Sequence, residues 1–562
     1  MAILLFSNSF LTAAFSLLLM VNNINVTSVI AGIIGFAFTF GLAFFSLELT
    51  RNKTQKGFRF ARLFLSYAIV VMMIAFIISR IHSNDSLYAM DAVLCILWFV
   101  LVILIVVTMH FVSDKRAEKY FPGLVLTKKK RTFWGEILDF LDAFIWAMTH
   151  VLLLNLFVFQ LYEIPSESMV PTFMIKDRVF GLKLGSGTRF PMTSVRLPKV
   201  GSYKRGDVVI LKSPRYPQTK ANELQTLTSQ AISMLTLMQV NTNIDPRTGM
   251  PKFDPLVKRI VGLPGEKLML VDGFLYVKNS SNADYRIISE DAQYACWNLN
   301  ELSTEQLKQV KHLVFPNDVY NTMLAVEAER KQVDFRKEYD ELEKILHSTA
   351  LQKYASDTLE TDASFLAEAD YALPQLFLNN DAISRRIFTT NGGFAWLKNF
   401  SLSWAEFWVS DKANTASLYE VRNAQLNVLI KKVFAQLILR NLELFAAHST
   451  DEQFQTDAVR NQLLADAERF MLYLNLSNGR NMNEFPKDGY LGTDEYFLMG
   501  DNRFNSLDMR HATDSKNMPV DSYDAQPVFY LSSVFPMALP EVNILGKAGF
   551  IFFPFNRFGA VK

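Results

Sequence analysis

The sequence predicts an α-helical membrane anchor over its first 163 residues, followed by a mainly antiparallel β domain interrupted by a large α-helical insertion. Three observations predict it. Long uncharged runs are confined to the N-terminal part. Short strand patterns with turn signals occupy two separate blocks, 164–279 and 490–562. Between them the composition changes to Glu, Lys, Gln, Leu and Ala, with apolar residues at helical spacing. At 562 residues the chain exceeds what one hydrophobic core organises, so several units are expected.

A helix crosses the hydrocarbon core of a bilayer with about 20 mostly apolar residues. No charged side chain precedes Glu48, and the polar break "NNIN" at 22–25 divides this run into spans of 2–21 and 27–47. A third span is expected between Arg62 and Arg80, a fourth between Asp91 and Asp114, and a fifth from about Ala143 to Tyr162. Residues 1–133 therefore read as four spans with basic loops, and 134–163 as a fifth helix leading outward. Lys and Arg concentrate in "RNKTQKGFRFAR" (51–62) and "SDKRAEKYFPGLVLTKKKRTF" (113–133), whereas the 22–26 connection and "IHSNDSLYAM" (81–90) have none. The positive-inside rule makes the basic loops cytoplasmic, and alternation sends everything after residue 162 outside. The first span lacks a basic n-region and a small-residue cleavage pattern, so it reads as an anchor rather than a cleaved leader. His150 and Asn155 in the fifth span are read as facing a neighbouring helix and are assigned no role.

In the first β block, "DRVFGLKL", "RGDVVILK", "PLVKRIVGLPG" and "EKLMLVDGFLYVKN" read as strands, the last as a hairpin turning at "VDG". "ELQTLTSQAISMLTLMQV" at 223–240 marks a small helical insertion over about 222–245. Residues 280–489 read as the large one. There Phe335, Tyr339, Leu342 and Leu346 share a helical face, as do Leu426, Ile430, Val433 and Leu437, a pattern of core packing. Strands return in "EYFLMGDN" and "NILGKAGFIFFPF".

Several functions are excluded early. A net charge of +2, with no basic stripe interleaved with aromatics, argues against nucleic acid as a partner. The two cysteines, Cys95 in an apolar span and Cys296, form no disulfide framework or zinc spacing, and neither a metal nor a cofactor is expected. H-E-x-x-H and G-x-S-x-G are absent. Although His511 lies near Asp508, none of the seven histidines falls inside the serine-rich segment, which disfavours a Ser–His–Asp hydrolase.

Four segments carry the chemistry: "IPSESMVPTF" (164–173), "RGDVVIL" (205–211), "KRIVGLPGEKL" (258–268) and "GDNRFNSLDMR" (500–510). Singly, each is an ordinary loop or strand start. In this order, after an outward-leading span, they closely resemble the conserved boxes of the type I signal peptidases, membrane-bound serine proteases that remove signal peptides from exported proteins. The resemblance covers the fifth span and both β blocks, implies a signal-peptidase-like β fold, and covers little of the helical insertion. It implies Ser168 as nucleophile and Lys258 as general base. The backbone N–H of Ser168 and the hydroxyl of Ser166 would be the oxyanion donors. It makes Ser506 the hydroxyl that orients the lysine, with Asp508 and Arg510 in support and Asp501, Arg503 and Arg259 as braces. Ile164, Pro165, Met169, Leu256 and Val257 would line shallow pockets for small residues at −1 and −3 of a signal-peptide-bearing preprotein, bound by strand addition.

The chemistry sets its own conditions. A serine hydroxyl needs a neighbouring base, and a lysine with the ordinary pKa of about 10.4 is almost wholly protonated at pH 7. Lys258 must therefore be buried among apolar atoms such as those of Leu256, Val257, Ile260, Val261 and Met169. Pro165 and Pro171 bracket the serine turn with fixed φ angles. The sequence departs from the family pattern at Glu167, where glycine is common, at Glu266, where Asp is usual, and after Arg510, where "HATDSKNM" replaces the usual continuation.

The expected setting is a bacterial cytoplasmic (inner) membrane, crossed several times, with the β domain on its outer, periplasmic side. The bilayer is a partner, and contact with secretion machinery through the membrane helices or the insertion is left open. The rival reading is a catalytically silent membrane scaffold that binds exported polypeptides.

Overall fold

The apolar N-terminal runs form α1 (Ala2–Asn22), α2 (Val26–Leu47), α3 (Gln55–Arg80) and α4 (Tyr88–Phe111). The computed structural model describes residues 1–22, 25–82, 88–126, 132–217, 219–236, 239–240, 242–245, 248–250, 252, 254–312, 315–348, 366–390 and 392–561. Parts of the expected connections at 22–26, 81–90 and 113–133, and residues 349–365 of the insertion, lie outside the described residues. Local signals start the helices: Asn25 accepts the Ser28 N–H ahead of α2 (2.8 Å), and Thr54 accepts that of Gly57 in α3 (2.9 Å). Small residues let α1 and α2 approach closely, since a Cβ on Gly35 would meet Ser16 Oγ at 2.2 Å. After the short α5 (Ala117–Tyr120) comes α6 (Phe133–Phe157), which packs on α3 but stands largely clear of the other helices. These four helices and α6 are each long and apolar enough to cross a membrane.

The fifth span differs from its expected bounds of 143–162. Its helix runs from Phe133 to Phe157, and the last residues of the apolar run form strand β1 (Phe159–Glu163), paired residue by residue with β2 (Arg178–Leu182). Hydropathy registers the apolar content of "FQLYE" but not the partner strand that extends it.

The main sheet is antiparallel and ordered β1-β2-β13-β3-β4-β9-β12. It uses β3 (Val208–Leu211), β4 (Leu256–Gly262), β9 (Glu495–Met499), β12 (Leu539–Pro540) and β13 (Ile544–Phe553), with β14 (Gly559–Ala560) paired to β13. Because β13 lies between β2 and β3 while β9 flanks β4, neither β block closes the sheet alone. A second sheet, β7-β6-β5-β8, contains β5 (Glu266–Val271), β6 (Phe274–Asn279), β7 (Asn282–Ile287) and β8 (Met482–Phe485). Its β5–β6 hairpin turns at Asp272 and Gly273, both at positive φ (53° and 84°), as the "VDG" signal predicts. Strands β10 (His511–Pro519) and β11 (Phe529–Val534) form a separate ribbon.

The small insertion contains α7 (Lys220–Leu235), which reaches back to α6. In the large one, β7 and β8 fall inside the expected 280–489 range and belong to the second sheet, so the helical part is shorter than that range. It includes α8 (Thr304–Leu307), α9 (Asn317–Arg330), α10 (Phe335–Leu346) and the helices Leu418–Ala446 and Ala458–Ser477. Leu342, Leu346, Leu426, Ile430, Val433 and Leu437 are buried in one core there.

Candidate active site

Ser168 lies in a turn held by its apolar neighbours. Met169, Val170 and Phe173 are buried, and the Val170 N–H donates to Glu167 O (3.1 Å) and the Phe173 N–H to Met169 O (2.9 Å). The side chain of Ser168 is left half-buried. Lys258 projects from β4 opposite Val209 of β3, and its Nζ donates to Ser168 Oγ at 2.7 Å. The two residues are 90 positions apart, and the sheet brings them together.

Lys258 is 2% exposed. Burial pushes its pKa down to about 8, against the opposing pull of Asp508 and Asp501. That leaves on the order of a tenth of the amine neutral at pH 7, enough to serve as a base. Each acid is tied to an arginine of its own. Arg510 donates to both oxygens of Asp508 (Nε–Oδ1 2.9 Å, Nη2–Oδ2 2.8 Å), and Arg259 to both of Asp501 (2.8 and 2.7 Å). Burial alone would raise the Asp508 carboxyl, but Arg510, together with the Gly500 N–H at 2.9 Å, holds it below the usual carboxylate range.

The segment 500–510 wraps the serine turn. The Asn502 N–H donates to Ser168 O (3.2 Å) and Asn502 Nδ2 to Glu167 O (3.1 Å). Gly500 permits this approach: a Cβ there would lie 2.4 Å from Ser168 O and 2.2 Å from Ser506 Oγ. Arg503 makes a paired contact with Asp291 (2.9 and 2.6 Å). Ser166 Oγ lies 3.4 Å from Ser168 Oγ, on the same side of the turn, where its hydroxyl can reach the carbonyl oxygen of a group bonded to Ser168.

Two expectations meet a different geometry. Ser506 is buried at 4% exposure, yet its hydroxyl makes no hydrogen bond with Lys258 or any other described residue. It packs over Gly500 instead. Of the expected pocket residues, Ile164 (3% exposed) and Met169 (1%) are sealed in the apolar core with Phe173, Val179 and Ile210, whereas Pro165 is exposed and Leu256 and Val257 are half-buried. The strand β4 surface next to Lys258, not the serine turn's inward side chains, is the accessible apolar face.

The rival histidine is occupied elsewhere. His511 Nδ1 pairs with Ser533 Oγ at 3.3 Å, and burial beside Arg510 drives its pKa down to about 4, so it is neutral at pH 7.

Sequence reasoning missed several supports. Thr172, inside the serine segment, donates to Asp501 (2.5 Å) and accepts from Arg259 (3.1 Å). Arg215 donates to the carbonyls of Leu507, Asp508 and His511, bracing the loop that carries Ser506. Tyr294 covers Arg259, 3.8 Å from guanidinium carbon to ring centre. Glu167, seen in the sequence only as a departure, is 4% exposed and accepts the backbone N–H groups of Lys311 and His312. The insertion thereby grips the residue next to Ser168. No local pattern links positions 144 residues apart.

Residues 137–324 match the family described as "Signal peptidase, peptidase S26". Over this stretch the chain is similar to signal peptidases. It is 26% identical over 176 residues to "Signal peptidase I" of Buchnera aphidicola subsp. Schizaphis graminum, covering 31% of this chain and 43% of that protein. It is 25% identical over 179 residues to "Signal peptidase I" of Pseudomonas aeruginosa (32% and 50%). It is 24% identical over 198 residues to "Signal peptidase I P" of Bacillus subtilis subsp. natto (35% and 81%). The chain spans about half or less of the length of the Buchnera and Pseudomonas relatives. The stretch matched by the family model includes Ser166, Ser168 and Lys258, while Asp501, Arg503, Ser506, Asp508 and Arg510 lie beyond it.

Proposed function

We propose that the chain is a type I signal peptidase, a serine endopeptidase that removes N-terminal signal peptides from exported preproteins through a Ser168–Lys258 dyad. The observation that carries this reading is the 2.7 Å contact between a buried amine and a half-buried serine hydroxyl. Neutral Lys258 takes the Ser168 proton as Oγ attacks the scissile carbonyl. The tetrahedral oxyanion is met by the Ser168 N–H and the Ser166 hydroxyl. Protonated Lys258 then supplies a proton to the leaving amine, the new N-terminus of the mature protein, and the acyl-enzyme holds the signal peptide. Water attacks that ester with Lys258 again as base, releasing the peptide and restoring the serine.

In this reading Asp508 and Asp501, each neutralised by its arginine, shape the site without keeping the lysine charged. Substrate adds as an extended strand beside residues 256–258, the end of β4 that its pairing with β9 leaves open, where Leu256 and Val257 with Pro165 favour small side chains at −1 and −3. Residues 1–133 and 134–163 anchor the enzyme across a bacterial inner membrane, 164–279 and 490–562 form the catalytic domain on its outer face, and 280–489 is the insertion between them. A preprotein held in the same bilayer by its apolar segment meets the site in a search confined to the surface. A silent scaffold has no need of a desolvated lysine against a serine.

The test is preprotein cleavage by the purified full chain in detergent. Specific cleavage, lost in both Ser168→Ala and Lys258→Ala while thermal unfolding is retained, supports the dyad. Cleavage that survives both changes refutes it.

A further inference from the structure

Two cavities adjoin at the ends of the apolar helices, apart from the dyad. The larger, about 310 Å³, is an apolar groove between the C-terminal halves of α3 and α6 and one face of α7, walled by Met73, Ile77, Leu152, Leu153 and Leu224. Its size falls at the lower end of small-molecule sites. The smaller, about 120 Å³, sits at the end of the main sheet and is lined by Lys183, Arg189, Lys212, Lys252, Glu223 and Asp254. Leu156, Leu227 and Gln230 line both, so the apolar and charged spaces adjoin.

The charges do not cancel. Arg189 is paired with Glu223, and Lys252 donates to Asn222 Oδ1 (3.0 Å) and Gln225 Oε1 (2.7 Å). Asp254 accepts the Ser213 N–H (2.9 Å). Lys183, 8% exposed, gives its ammonium only to the carbonyl of Asn155 near the end of α6 (2.7 Å), and Lys212 has no ion pair or side-chain hydrogen bond among the described residues. Lys183 thus faces this space buried and without a carboxylate of its own, while Lys212, partly buried, feels Glu223 and Asp254 across it without a direct ion pair, and four basic side chains face two acids. Burial, then repulsion by Lys212, pulls the Lys183 pKa down to about 8, and an anion in the cavity would relieve both.

We propose that these cavities form a site for one anionic phospholipid, its phosphate against Lys212 and Lys183 and an acyl chain along the α3–α6–α7 groove. This rests on the reading of the apolar helices as membrane spans, which sets the groove at bilayer depth and the charged cavity at the outer surface. A lipid presents the same order of polarity, one anion joined to an apolar tail. The segment of a signal peptide before its cut is small and neutral and answers no unpaired ammonium. A free phosphate leaves the groove unfilled.

The full chain in dodecyl maltoside is titrated with phosphatidylglycerol, with phosphatidylcholine of the same chains and with inorganic phosphate, and bound molecules are counted by native mass spectrometry. One phosphatidylglycerol per chain is expected, at least about tenfold tighter than phosphatidylcholine. Lys212→Glu and the milder Lys212→Gln should each weaken it, the first by about tenfold, and Leu227→Trp, which fills the shared wall, should weaken it too. Equal binding of the two lipids, or insensitivity to both Lys212 variants, overturns the proposal. Inorganic phosphate bound as tightly as the lipid assigns the cavity to a free anion instead. A synthetic signal peptide that loses affinity with Leu227→Trp but not with Lys212→Glu assigns the groove to substrate and also overturns it. Failure of the chain to fractionate with membranes defeats the membrane reading itself, whereas non-selective lipid binding by an embedded chain defeats only this site.

Discussion

Lys258 in the β domain and Lys431 in the helical insertion are both nearly closed to water, at 2% and 0% exposure. Lys431 lies 2.5 Å from Asp524 and also donates to Phe400 O (2.7 Å), Ser403 Oγ (2.8 Å) and Gln526 O (2.9 Å). Every proton of its ammonium has an acceptor, and the attraction of Asp524 opposes the cost of burial. Lys258 has no carboxylate within ion-pair distance among the described residues, and its nearest acids are already paired with Arg510 and Arg259. Burial with a private acid makes a structural lysine. Burial beside a hydroxyl, with the acids claimed by arginines, suits a lysine to the base role proposed above.

The comparison can be broken most severely at the dyad. Ser168→Ala and Lys258→Ala should each lower kcat/KM for preprotein cleavage by about 10⁴-fold or more with the fold intact. The corresponding change in the other region should strike stability instead. Lys431→Met leaves Asp524 buried without its cation and is expected to cost about 3–5 kcal/mol in denaturant unfolding, largely recovered by adding Asp524→Leu. A variant that makes Lys258 resemble Lys431 sharpens the contrast. Arg510→Gln frees the Asp508 carboxylate to hold the lysine's proton, so the pH midpoint of kcat/KM should move alkaline by about one unit, and activity at pH 7 should fall about tenfold. An unmoved midpoint would mean the arginines do not shield the amine.

The smallest effect is expected at the junction of the two regions. Glu167→Ala strands the N–H groups of Lys311 and His312 and loosens the turn beside Ser168, lowering kcat by about threefold with KM nearly unchanged. Separate determination of kcat and KM checks this, since a change confined to KM would place the contact in substrate binding.

What could be read from the sequence was whatever chemistry or periodicity forces into local order. The serine and lysine segments, the "VDG" hairpin and the apolar faces of α10 and helix Leu418–Ala446 are of this kind. The β1 strand at the end of the fifth apolar run was not legible, because its extended form depends on β2 as a partner. Nor was the grip of the insertion on Glu167, or the bracing by Arg215 of a loop 292 residues away, since such contacts arise only when the sheet closes. Ile164 and Met169 looked equally suited to pocket or core, and only the packing assigns them to the core.

The central claim is that Lys258 loses its proton near neutrality, and the pH dependence of kcat/KM tests it most directly. The account predicts a rate that rises about tenfold per pH unit below the midpoint and levels off above about 8, where burial sets the lysine's pKa. A rate flat between pH 5 and 10, or a midpoint near the ordinary lysine value of about 10.4, would contradict it.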